Sequence, residues 1–202
     1  MSIDNFILSD PSAKEETEFD LIEKKIINCA KCRLSQTRTN AVPGMGSRCA
    51  RIIFVGEGPG RNEDLQGEPF VGAAGKFLDE MLASINLKRK DIYITNVVKC
   101  RPPGNRDPRP DEINACLPYL RKQTKLIKPN IICAMGNSAC RTLIDPSISI
   151  SRIHGKFFRK KGFIFYALYH PAAALYNGSL KDTLREDFLR LGEYLRKMTV
   201  YN

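Results

Sequence analysis

No run of about 18 apolar residues occurs in the chain, so no helix able to cross a bilayer is expected. The opening stretch, MSIDNFILSDPSAKEETEFD, has no basic head followed by an apolar core, so no secretory signal is expected either. Internal repeats and low-complexity tracts are absent, which sets aside repeat architectures. Histidine is scarce: His154 and His170 are the only two, so imidazole chemistry has two places to occur. Cysteine is not scarce, but its count is seven, an odd number at uneven spacing. That suits a reducing cytosol better than a disulfide framework. Acidic residues number 22 against 32 Lys and Arg, leaving a formal charge of +10. Such an excess either keeps a protein soluble or recruits a polyanion, of which DNA and RNA are the commonest.

What is present is enough for one ordinary domain: 202 residues, 43% of them hydrophobic. We treat residues 1–202 as a single domain, with 1–28 an extension and helix leading to the first cysteines. Phe19, Ile22 and Ile26 give residues 14–28 a helical period. Four short apolar runs read as buried strands: 51–55, 91–96, 130–135 and 163–169. Helical patterns separate them over 76–84, 111–127 (with Pro118 as a kink signal) and 137–144. Leu180, Leu184, Phe188, Leu191 and Leu195 form a C-terminal apolar stripe. The fold class is therefore α/β, a central four-stranded parallel sheet flanked by helices. Ligands of such sheets bind beyond the carboxyl ends of the strands. Gly56-Glu57-Gly58-Pro59-Gly60 follows the first strand, Asn96 ends the second, and His170 follows the fourth, so the three should converge.

Four of the cysteines are paired, as Cys29-x2-Cys32 and Cys100-x15-Cys116. Thiolates at such spacings hold zinc or an iron–sulfur cluster, and spacing alone leaves both open. Cys49, Cys133 and Cys140 stand outside the pattern, and Cys133 reads as a small core residue.

The glycine-rich turn lacks the dinucleotide fingerprint and the Lys-Ser/Thr of a phosphate loop. Glycine there either makes a tight turn or lets a flat ligand approach the backbone. Glu57, Glu63 and Asp64 are carboxylates that could orient water or stabilise a cation, or cap a helix. His170 is either an oxyanion donor or a structural cap. Phe70, between glycines and a proline, suits stacking on a base. Asn96 offers the donor and acceptor that read an amide edge. Arg152, His154, Lys156, Lys160 and Lys161 cluster as phosphate contacts or as a solvated hairpin.

Together these segments resemble the type-4 (family 4) uracil-DNA glycosylases, iron–sulfur members of the uracil-DNA glycosylase superfamily. The resemblance runs from about residue 29 to 195. It rests on Cys29-x2-Cys32, TRTNAVPGMG, ARIIFVGEGPGRNEDLQGEPFVGAAGKFLDEML, ITNVVKCRPPGNRDP, Cys116-Leu117-Pro118-Tyr119-Leu120 and HPAAAL, in that order. It implies a DNA-repair glycosylase that flips uracil out of DNA and hydrolyses its N-glycosidic bond. It implies a [4Fe-4S] cluster on Cys29, Cys32, Cys100 and Cys116. It implies a uracil pocket of Gly56, Glu57, Gly58, Phe70, Asn96 and His170, with Glu63 crowding the thymine methyl. His170 and Glu57 are then the catalytic pair, and Leu175 the wedge that fills the gap in the duplex. The partners implied are uracil-containing DNA and free uracil as product. A monomer in the cytoplasm, associated with the nucleoid, is expected, and nothing in the sequence marks a sliding-clamp contact.

This chain departs from the family pattern at Gly58, Arg61, His154 and Tyr176, where alanine, an acidic residue, arginine and arginine are common. The rival reading, a non-catalytic iron–sulfur module that binds nucleic acid, needs the cysteines and the charge. It does not need Gly56, Phe70, Asn96 and His170 together.

Overall fold

The computed structural model describes residues 17–200. Residues 14–16 of the predicted first helix, and most of the opening stretch, lie outside it. Eight α-helices and six strands are found among the described residues: α1 (Glu18–Ile27), β1 (Met45–Gly46), β2 (Ile52–Gly56), α2 (Arg61–Gln66), α3 (Ala73–Ser84), β3 (Tyr93–Asn96), α4 (Pro110–Ile127), β4 (Ile131–Met135), α5 (Gly136–Leu143), α6 (Ile150–Ile153), β5 (Phe157–Lys160), β6 (Phe163–Leu168), α7 (Pro171–Tyr176) and α8 (Ser179–Val200). They form one sheet in the order β1-β3-β2-β4-β6-β5.

The four predicted strands are its parallel centre, β3-β2-β4-β6. Two edge strands bring the count to six rather than four, and both pair antiparallel. β1 is only two residues long and β5 reads Phe-Phe-Arg-Lys, so neither carries the apolar run that marks a buried strand. Their shortness and charge suit an edge, where a long apolar strand would invite pairing with another chain.

Side chains alternate across the sheet. Ile53, Val55, Ile132, Ala134, Phe165 and Ala167 join the core under α1, α4, α5 and α6. Ile52, Phe54, Ile94, Ile131, Cys133, Tyr166 and Leu168 face α3, α7 and α8. Both faces being covered, β2 and β4 are buried at every residue. α4 continues through Pro118, which removes a single ladder bond from an 18-residue helix. The C-terminal stripe belongs to α8, where Leu184, Phe188 and Leu191 are fully buried.

Phe188 stacks on Phe54, ring centroids 5.8 Å apart. Phe188→Ala leaves a cavity between α8 and the sheet centre and should cost about 3–5 kcal/mol. Urea unfolding should show a lower midpoint with an unchanged slope. A loss below about 1 kcal/mol would mean the helix collapses onto the sheet without that ring.

Candidate active site

The parallel strands end together. Gly56 closes β2, Asn96 closes β3, Gly136 follows β4, and His170 lies just past β6. A cavity of about 820 Å³ opens there, lined by Glu57, Gly58, Glu63, Phe70, Asn96 and His170 among others. Gly56 is the floor between two of them. A Cβ on it would sit 2.4 Å from Asn96 Oδ1 and 3.0 Å from Phe70 Cζ, so only glycine fits.

Asn96 is 2% exposed, and its Oδ1 is buried without a hydrogen-bond partner. An orphaned buried acceptor costs about 1–3 kcal/mol, so its retention at a cavity floor points to a ligand donor. Phe70 holds a backbone φ of 55°, in the left-handed region that bulky residues avoid at a cost of about 1–3 kcal/mol. Its ring stacks on that of His170 at 5.5 Å.

His170 is also the N-cap of α7, its Nδ1 accepting from the Ala172 N–H at 3.2 Å. The capping role and the pocket role thus coexist. With Nδ1 occupied as acceptor, the neutral ring carries its hydrogen on Nε2, a tautomer assigned from the bonding pattern. Burial pulls the imidazole down to about 4, against an opposing pull from the Glu63 carboxylate. His170 is therefore a neutral donor at physiological pH.

The three carboxylates separate. Asp64 is buried and accepts from the Thr39 N–H at 2.9 and 3.1 Å, outside the cavity lining. Glu63 accepts from the Val71 and Gly72 N–H groups at 3.0 and 3.1 Å, holding the loop that carries Phe70. Glu57 is half-buried in the cavity wall. Burial and then the charge of Asp107 raise its carboxyl above the usual range, while a bond with the Ser138 side chain opposes them.

The paired cysteines meet in a second, smaller cavity lined by Cys29, Cys32, Cys100 and Cys116. Donors face the sulfurs: Arg38 Nη1 to Cys100 Sγ at 2.9 Å, the Lys99 N–H to Cys116 Sγ at 3.2 Å, and the Lys31 N–H to Cys29 Sγ at 3.5 Å. As thiols, Cys100 and Cys116 are both raised by burial, Cys116 to about 11. Among the described residues, no three His, Cys, Asp or Glu side chains converge as ligands of a single metal ion. An all-sulfur donor set met by N–H groups is the environment that suits a thiolate-bound group.

A model of the uracil DNA glycosylase superfamily matches residues 43–192. The chain belongs to that superfamily. It is 50% identical over 186 residues to a type-4 uracil-DNA glycosylase of Archaeoglobus fulgidus, covering 88% of this chain and 94% of that one. A type-4 enzyme of Sulfurisphaera tokodaii is 49% identical over 181 residues, covering 85% and 82%. One of Saccharolobus solfataricus is 46% identical over 185 residues, covering 87% and 86%.

Within this glycosylase fold the basic residues do not act as one cluster. Arg152 is exposed on α6, and Lys156 is exposed where its carbonyl pairs with the Ala167 N–H near the end of β6, on the pocket side. His154 Nδ1 is 2.8 Å from Asp187 Oδ2, and its ring lies against Tyr169, so one nitrogen is already engaged. Lys160 and Lys161 stand at the β5–β6 turn, at the opposite end of the sheet from the pocket. The Lys160 Nζ donates there to the Ile144 carbonyl. The length of β6 therefore separates this pair from the pocket end. Leu175 is 41% exposed and Tyr176 92% exposed at the end of α7. At Gly58, a Cβ would come within 2.8 Å of Val98 Cγ2, so Val98 packing accounts for the glycine here.

Sequence reasoning missed Asp107 and Ser138, which line the cavity with Glu57. Asp107 sits in a stretch that reads as basic and proline-rich. Ser138 lies in the first turn of α5, which begins directly after β4; no local spacing marks either residue. It also missed α2, whose Arg-Asn-Glu-Asp-Leu-Gln has no apolar stripe.

Between pH 6.5 and about 4 the unfolded chain protonates His170 and the folded chain does not. The neutral ring's contribution to stability is thus complete above 6.5 and falls as pH drops through that window. Ring NMR signals of His170 should stay those of a neutral imidazole at pH 5.5. A titration centred near 6.5 would contradict its solvent-stripped setting.

Proposed function

We propose that the chain excises uracil from DNA by hydrolysing the N1–C1′ bond. The observation that carries this reading is the orphaned Oδ1 of Asn96 at the floor of a pocket walled by Phe70 and His170. Uracil offers what that pocket lacks. Its N3–H donates to Oδ1, its O4 accepts from the Asn96 amide, and its flat face suits Phe70. Cytosine has no N3 hydrogen and carries an amine in place of O4, so it leaves polar groups unpaired.

The nucleotide reaches the pocket by leaving the stack, at a cost of about a few kcal/mol. Leu175, apolar and exposed beside the pocket end, fills the gap. Arg152, Lys156 and the free edge of His154 contact flanking phosphates. As the bond breaks, its electron pair enters the uracil ring. The His170 Nε2–H meets that charge, without prior deprotonation, because its other nitrogen already accepts a bond. Backbone N–H groups near Gly58 assist. Glu57 faces the cationic sugar and orients the water whose oxygen adds to C1′; one water hydrogen stays on the new C1′ hydroxyl and the other ends on N1 of the departing uracil. Glu63 limits room at C5 while holding the Phe70 loop. Free uracil and an abasic site are the products.

The four gathered thiols we assign to a [4Fe-4S] cluster held by Cys29, Cys32, Cys100 and Cys116. Bound there, it supplies a tie between chain segments distant in sequence and no step of the cleavage. Anaerobically purified protein should be brown, absorb broadly near about 400 nm and contain iron. A colourless protein with one zinc and no iron overturns the assignment.

Two variants separate recognition from chemistry. Asn96→Asp should lower discrimination against cytosine, since a carboxylate accepts from the cytosine amine. His170→Ala should slow single-turnover uracil release about a hundredfold or more with little change in DNA affinity. A full rate for His170→Ala, or unchanged base choice for Asn96→Asp, removes the role given to that residue.

A further inference from the structure

We propose that Arg89 is a positioning residue for base recognition: its guanidinium clamps the Phe70 backbone in the left-handed conformation that sets the ring in the pocket. This rests on the reading of that pocket as a uracil site. Arg89 itself does not line the cavity. It opens the 3₁₀ turn Arg89–Asp91, immediately before β3.

Three carbonyls accept from its fork, two in the Phe70 loop and one in the first turn of α3. Nη2 donates to Phe70 O at 2.5 Å and to Gly75 O at 3.4 Å, and Nη1 donates to Pro69 O at 3.2 Å. The other edge of the guanidinium is held by Asp79, with Nε to Oδ1 at 2.6 Å and Nη2 to Oδ2 at 3.3 Å. A planar five-donor fork can do this; a lysine ammonium cannot.

The clamp explains features that are otherwise unconnected. With φ at 55°, the Phe70 carbonyl turns into the first turn of α3. A Cβ at position 75 would lie 1.7 Å from that oxygen, so Gly75 makes its room. The oxygen then needs a donor, and Arg89 is that donor. On the far side, Glu63 accepts the next two N–H groups, at Val71 and Gly72. Phe70 is thus gripped from both sides, and neither grip touches its ring. Arg89 and Asn96 bracket the same strand, so the residue that orients the stacking ring and the residue that reads the base edge share one support.

Losing the fork frees Phe70 to return to negative φ, which withdraws the ring from its place. Stacking acts on the base before and during cleavage, so its loss raises KM more than it lowers kcat. The test uses the full chain with Arg89→Met, Arg89→Lys, Phe70→Ala and the Arg89→Met/Phe70→Ala double variant. Arg89→Met should weaken inhibition by free uracil about tenfold and raise KM for a uracil oligonucleotide by a similar factor. Arg89→Lys should recover only part of the loss. In the Phe70→Ala background, Arg89→Met should add no further loss in uracil affinity, because both changes act through one ring. Losses that multiply, or a single variant with unchanged uracil affinity, overturn the proposal.

Amide exchange at Val71 and Gly72 gives a second readout that needs no activity. It should quicken at least about tenfold in Arg89→Met while exchange in β4 stays unchanged. Unchanged exchange at those two amides also overturns the clamp. Wild-type protein that neither binds nor releases uracil would sink the functional reading, and the exchange arm would still decide the clamp.

Discussion

The parallel pairing of β2 with β3 is the constraint on which the pocket depends. Its register sets Gly56 directly beside Asn96. One step of slip would move every side chain of the strand to the other face. The register holds because Ile53, Phe54 and Val55 are buried against helices on both sides. At its last pair the sheet changes use. Gly56 has no side chain, so the Asn96 amide occupies its space and the edge of Phe70 closes over it. A hydrophobic ladder thus ends in one polar group that is buried but unpaired.

The two cavities are joined through the segment that leaves β3. Lys99 is almost wholly buried. Its backbone N–H donates to Cys116 Sγ, and its Nζ donates to the Asn96 carbonyl at 3.0 Å and to the Thr95 hydroxyl. Thr95 in turn donates to the Pro43 carbonyl at 2.7 Å. The cysteine cavity and the cavity at the strand ends therefore share a support five residues long. A thiolate-bound group there would brace the end of β3 as well as the loops that supply its ligands.

Much of this was legible in the chain, for reasons that differ by element. The parallel strands announce themselves as short apolar runs, three of them stopped by glycine or by His170-Pro171, and strand ends in such a sheet must converge. Gly56, Asn96 and His170 could thus be brought together before any coordinates. The edge strands could not, because β1 is two residues and β5 carries Arg159 and Lys160. Charge was a poorer guide than pattern. Lys156 and Lys160 are neighbours in sequence, yet a strand carries them to opposite ends of the sheet. Arg89 carries no local signal at all; its role depends on a loop nearly twenty residues earlier and on a backbone angle. Asp107 and Ser138 reach Glu57 only through the tertiary fold.

The central claim is that the pocket above Asn96 takes a uracil out of DNA. The most direct measurement is incubation of the protein with matched oligonucleotides carrying uracil, thymine or cytosine at one position, followed by alkaline cleavage of abasic sites. Strand scission at uracil, with none at thymine or cytosine, is the predicted result. An intact uracil strand, or equal scission at all three bases, would contradict it.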